Sequence, residues 1–126
     1  MLYSYYNIYF NRDKNKKLFF KIKIRSAKMP DEFKEENNDL FFKFGDTELL
    51  ESFNNNKYAD MLMDFSNQNK NIHLDFSEVD VVDSLFIGSL IIVHKKLEAQ
   101  NKTLYLKNLN EFLLDLFSKL RLGSIL

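Results

Sequence analysis

From residue 40 onward the chain alternates between two apolar periods, and that alternation limits its fold more than any other feature. "LFFKFGD" (40–46) reads as a short strand ending in a glycine turn. Tyr58, Met61, Leu62 and Phe65 then recur at i, i+3, i+4 and i+7, the stripe of an amphipathic helix. In "NIHLDFS" (71–77), Ile72, Leu74 and Phe76 alternate with polar residues, as in a strand with one buried face. The pattern predicts a helix over 84–100 and a strand over 102–109. A last helix follows, with Phe112, Leu113, Leu116, Phe117 and Leu120 at helical spacing and Gly123 as its stop. Strand and helix alternating three times favours an α/β fold, with helices packed on a largely parallel sheet through right-handed crossovers.

The residues before this point are less regular. "LYSYYNIYFNRDKNKKLFFKIKIRS" (2–26) is rich in aromatic and β-branched residues and predicts one or two strands around the polar "NRDKNKK". "AKMPDEFKEENND" (27–39) holds the only proline and a cluster of charges, and it reads as a loop. Met29 offers an alternative start, so the chain divides there. Residues 1–28 form N-terminal strands or an extension able to supply the first strand or strands of the sheet, and 29–126 form the domain.

Composition enters mainly by exclusion. A chain of 126 residues suffices for one core that covers roughly two-thirds of the unfolded surface. Its formal charge is zero, which gives neither a basic field for nucleic acid nor an acidic tail. With no cysteine there are no disulfides, no thiolate catalysis and no zinc–thiolate sites. "MLYSYYNIYF" lacks the basic region and cleavage site of a signal peptide. The longest uncharged run, 84–93, is about half the ~20 residues of a membrane span. These features predict a soluble, cytoplasmic protein without membrane insertion, direct nucleic-acid binding or cofactor.

Catalytic motifs are missing as well. There is no GxGxxG for a dinucleotide and no GxxxxGK[ST] for a nucleoside triphosphate. His73 and His94 stand in different elements without metal-ligand spacing, and His73 reads as an outward position on its strand. Ser84 lacks the glycines of a nucleophile elbow. Asp80 and Asp83 are three apart, where the phosphate-transferring DxDx[TV] pattern needs two. No convergent acid, base and electrophile emerge, so an enzyme is not predicted.

One stretch stands apart: "LDFSEVDVVDSLFIGSLIIV" (74–93), with an Asp-Ser pair where strand gives way to helix. Asp83 suits the N-cap, which would place Ser84 in the first turn. At ~100° per residue, Phe86, Leu90, Val93 and Leu97 form the core stripe, widened by Ile87. Leu85 and Ile92 fall on one flank and Ile91 on the other, while Gly88, Lys95 and Ala99 lie on the side of Ser84. The helix is thus more apolar than docking on a sheet requires. Either its neighbours bury it more deeply, or Leu85, Gly88 and Ile92 form a low-relief patch for a partner protein. A phosphate on Ser84 would meet the positive helix end and bring about two negative charges to that patch.

These residues resemble the STAS domain of the anti-sigma-factor antagonists. The family pattern runs from an apolar strand with "LD" through "DSSGLG", an amphipathic helix, a strand ending in "N" and a last helix closing with "GL". Here "LDFSEVDVVDS", Gly88 and "LRLGSIL" match it, and "FKFGDTE" is similar to the "GELD" turn, with Gly45, Asp46 and Glu48 near the site. Leu85 and Phe86 replace the family's second serine and first glycine. The resemblance implies a mixed four- to five-stranded sheet with helices mainly on one face, and no catalysis. It implies a bacterial partner switch in transcription regulation, in which an anti-sigma factor that is also a serine kinase binds the unmodified antagonist. The phosphoacceptor would be Ser84, with Asp83 its orienting neighbour and Leu85, Gly88, Ile92 and Lys95 the docking surface; a serine phosphatase would reverse the modification. Alternatives are a non-phosphorylated adaptor subunit of a transporter or signalling complex and, more remotely, a small enzyme using Asp80, Asp83 and Ser84. Oligomeric state is left open.

Overall fold

The computed structural model describes residues 4–13, 16–24, 30–53 and 55–125. The chain divides into two units, Met1–Pro30 and Asp31–Leu126. In the first, β1 (Ser4–Asp13) and β2 (Lys16–Ile24) pair antiparallel, with a register shift between Asn11 and Asp13. Among the described residues these two strands pair only with each other.

The second unit begins with β3 (Glu32–Glu36) and β4 (Asp39–Lys43), an antiparallel hairpin. This corrects the reading of 27–39 as a loop from Glu32 onward; 27–29 lie outside the described residues. Asn37 and Asn38 close the hairpin, both with positive φ (52° and 67°). A two-residue turn with both central residues left-handed matches the twist of the flanking strands, and asparagine tolerates that conformation. Of the eight described non-glycine residues with positive φ, seven are asparagines, so in a chain with three glycines Asn serves as the usual turn residue.

A two-residue strand β5 (Glu48–Leu49) precedes α1 (Lys57–Ser66). Then come β6 (Asn71–Asp75), the short β7 (Val81–Val82), α2 (Ser84–Ala99), β8 (Leu104–Lys107), α3 (Glu111–Leu120) and β9 (Ser124–Ile125). The main sheet has the order β3-β4-β6-β8-β9, parallel except at β3. Each parallel step passes through one helix, as parallel pairing requires. The mixed five-stranded sheet with three helices is the predicted class. β5 and β7 form a separate parallel pair, Glu48 opposite Val81 and Leu49 opposite Val82.

Burial along the central strands is one-sided. Leu40 and Phe42, Ile72 and Leu74, and Leu104 and Leu106 are buried. Their neighbours Phe41, His73 and Tyr105 face the other way and are half-buried. Against the buried face pack Tyr58, Leu62 and Phe65 of α1, Phe86, Leu90, Val93 and Leu97 of α2, and Leu113 and Phe117 of α3. Phe44 is the hub, with the rings of Phe42, Tyr58, Phe76 and Phe86 centred 5.0–5.6 Å from its own. Gly123 has φ +54°, and a Cβ there would lie 2.4 Å from the Leu104 carbonyl oxygen, so only glycine lets β9 settle against β8.

Candidate functional site

The start of α2 is fastened by a single carboxylate. Asp83 Oδ1 accepts the Phe86 amide at 2.9 Å, the N-cap bond expected of it. Its Oδ2 accepts both the amide (3.0 Å) and the hydroxyl (2.8 Å) of Ser52, a residue 31 positions away. Asp83 thus ties the helix end to the loop after β5, and its own amide donates to the Leu49 carbonyl at 3.1 Å. Burial alone would raise its pKa; the Phe86 amide, the Ser52 amide and hydroxyl, and the Glu51 amide outweigh it and hold the carboxyl below its ordinary range.

Linkage gives the sign. A depressed pKa means that the unfolded chain takes up the proton first on acidification. The stability Asp83 supplies is therefore full above its unfolded value near 3.8 and is lost as pH falls through the folded value. Asp75, half-buried but bonded by the Asn108 side chain and the Ser77 amide, behaves the same way. Asp83→Asn is expected to cost about 1 kcal/mol at neutral pH and to flatten the acid limb of a Tm-against-pH curve below about pH 4. An acid limb identical to that of the unmodified protein would show that the carboxylate contributes nothing.

Ser84, the first helical residue, is exposed, as are Leu85 (53%) and Ile92 (55%). The core stripe read from the wheel, Phe86, Leu90, Val93 and Leu97, is fully buried, with Ile87 and Ile91 half-buried beside it. Deeper burial therefore does not account for Leu85 and Ile92. Gly88 lies between them, and a Cβ placed on it would meet nothing within 4 Å. Lys95 is exposed one turn further along.

The predicted turn residues separate. Glu48 is exposed on β5, opposite Val81 and beside the site. Gly45 and Asp46 are buried in a brace behind it. The Gly45 amide donates to Asp31 Oδ1 (2.7 Å), and the Tyr58 hydroxyl lies 2.6 Å from Asp46 Oδ2 and 3.0 Å from Asp31 Oδ1. Burial and these two carboxylates push the Tyr58 pKa well above the ordinary phenol range, so the phenol stays protonated and donates. Glu51 caps α1 from outside, its Oε1 accepting the Tyr58 amide at 2.8 Å where Asn56 provides no side-chain cap.

Two residues escaped the sequence reading. Ser52 completes the Asp83 clamp, and its neighbour Phe53 is the most exposed large apolar side chain described (79%). A lone Phe in "ESFNNN" carries no periodicity, and nothing local links residue 52 to residue 83. Among the described residues no group of three or more His, Asp or Glu could hold a metal ion, and no helix is long and apolar enough to cross a membrane.

The STAS_2 family, described as "Mlab, STAS domain", matches residues 58–126, more than half of the chain and all of α2. The chain belongs to the STAS family. Solved STAS-fold structures agree on the architecture. A candidate anti-sigma factor antagonist of Thermotoga maritima superposes with a TM-score of 0.61 at 20% identity, covering 75% of this chain and 84% of that one. A STAS-domain anti-sigma-factor antagonist protein of Planctomyces limnophilus gives 0.62 at 14% identity, over 72% and 81%. The anti-sigma factor antagonist SpoIIAA in its unphosphorylated form gives 0.58 at 14% identity, over 77% and 87%. No curated protein matches this STAS chain.

Proposed function

We propose that this STAS protein is a non-catalytic, protein-binding regulator of the anti-sigma-factor-antagonist type. Its docking face is the exposed flank of α2, and phosphorylation of Ser84 controls it. The observation that carries the reading is the juxtaposition at the helix start. An exposed serine follows a carboxylate held in place by hydrogen bonds, and beyond it Leu85 and Ile92 stay more than half exposed around Gly88, where an added Cβ would meet nothing within 4 Å. The partner is an anti-sigma factor with serine kinase activity, opposed by a serine phosphatase, acting in the bacterial cytoplasm. On this reading residues 29–126 carry the function and 1–28 are an accessory extension. Phe86, which stands where the family has glycine, is fully buried and leaves the face clear.

Affinity recovery of the tagged chain from its native cell, with mass spectrometry of the bound fraction, tests this. An anti-sigma factor is expected in that fraction, with a single phosphate at Ser84 in part of the chain. Recovery of a transport ATPase, with Ser84 unmodified, would replace the switch by a constitutive adaptor.

Gly88 supplies an independent check. Glycine inside a helix costs about 0.5–1 kcal/mol relative to alanine, and no contact within the chain needs the missing Cβ. Gly88→Ala is expected to stabilise the fold by about that amount while weakening partner binding. A stabilised variant that binds as before would remove Gly88 from the interface.

A further inference from the structure

The formal charge of zero is the sum of two opposite parts. Residues 1–30 hold eight Lys and Arg against a single Asp, a net +7, while residues 31–126 hold ten against seventeen Asp and Glu, a net −7. The division falls where the chain separates into its two units. Five of the eight cations of the first unit, Arg12, Lys16, Lys17, Lys21 and Lys23, stand on the two strands of the β1–β2 hairpin.

The register sorts this hairpin into two unlike faces. Residues directly opposite one another in an antiparallel pair share a face, and successive residues along a strand alternate between faces. Tyr6 opposite Ile22, Ile8 opposite Phe20 and Phe10 opposite Leu18 therefore occupy one face, with no charge among them. Lys23 opposite Tyr5, Lys21 opposite Asn7 and Lys17 opposite Asn11 occupy the other, around the pair Tyr9 and Phe19. Among the described residues neither strand pairs with any further strand. A lone two-stranded hairpin is marginal in water, so an apolar face of this kind calls for a cover.

We infer that the β1–β2 hairpin is a surface anchor for an anionic lipid bilayer. Its apolar face lies in the bilayer interface, and its cations hold it to the headgroups without any membrane-spanning segment. The same division of faces lets amphipathic helices lie in an interface, held by buried apolar area together with attraction to anionic lipid. Each Lys or Arg within a Debye length of such a surface adds to the attraction. A bilayer uses both faces at once. A nucleic acid would engage the lysines and leave the apolar face in water, and a second copy would cover that face against the repulsion of two +7 units. Anchoring of this kind needs nothing from the α2 face and serves a switch or an adaptor alike.

The chain has no tryptophan, so Phe10→Trp puts a single reporter on the apolar face of the full-length protein, and Phe112→Trp puts one on an exposed position of α3 as a control. The probes are vesicles of phosphatidylcholine alone and vesicles with about 30% phosphatidylglycerol. With the anionic vesicles Phe10→Trp should give blue-shifted emission that brominated acyl chains quench, while Phe112→Trp stays unchanged. Neutral vesicles, and anionic vesicles at high salt, should bind at least about tenfold more weakly. Lys21→Glu with Lys23→Glu leaves the apolar face unaltered and should cost at least about tenfold in affinity for anionic vesicles, whereas Lys21→Arg with Lys23→Arg should keep it. The anchor is overturned by unchanged emission from position 10, by equal changes at both positions, or by full vesicle binding in the Glu variant. Emission already blue-shifted before vesicles are added would overturn it in favour of a protein cover. A single-stranded oligonucleotide bound where vesicles are not would overturn it in favour of a nucleic-acid surface.

Discussion

Ser84→Asp is expected to weaken the partner complex by at least about tenfold, while Ser84→Ala binds as tightly as the unmodified protein. Ser84 is exposed at the first position of α2, with exposed Leu85 next to it. A partner seated on that face must desolvate whatever group Ser84 carries. Placing a carboxylate there without a counter-ion costs a few kcal/mol, and each 1.4 kcal/mol is a factor of ten in affinity. Asp83, Asp80 and Glu48 lie close by in sequence or pairing, and among the described residues Glu48 and Asp80 form no ion pairs. The added charge therefore enters a rim that is already acidic. Calorimetry with the recovered partner checks this; equal affinity of both variants would leave a STAS module without a switch.

The largest effect on stability is expected from Phe44→Ala, about 3–5 kcal/mol. Phe44 is fully buried and touches rings from β4, α1, α2 and the loop after β6, so its removal opens a cavity at the point where these elements meet. Four edge or tilted ring pairs are lost with it, each contributing beyond its buried area. Against a total stability of about 5–15 kcal/mol, much of the folded state's margin disappears. Urea unfolding should show a large fall in midpoint. Phe112→Ala, removing a side chain 57% exposed, should change it little. Similar shifts in the two variants would contradict the assigned core.

What could be read from the sequence follows from where the free energy is local. The α2 wheel separated Phe86 from Leu85 because a buried stripe of period 3.6 is written into consecutive residues, and the two are now 0% and 53% exposed. Ile72, Leu74 and Phe76 were legible for the same reason at period two. β3 was not. All five of its residues are exposed, and its inward side chain, Phe33, stacks on Phe65 at 5.3 Å. An edge strand with one apolar contact leaves no alternation to read, and its turn is built from asparagines rather than glycine. His73 points outward as expected but is sandwiched between rings, because register across three strands decides its neighbours. The Ser52–Asp83 clamp joins a loop to a helix cap through tertiary structure alone.

The composition of β3 also decides how this protein can be recognised. It closes one margin of the five-stranded sheet with the sequence Glu-Phe-Lys-Glu-Glu. The charged side chains along the β3 edge disfavour pairing with an incoming strand. The same charges disfavour recognition by strand addition at β3 and edge-to-edge stacking of the sheet into fibres. A partner that engages this domain is then left to read side chains on its surfaces rather than a free strand edge.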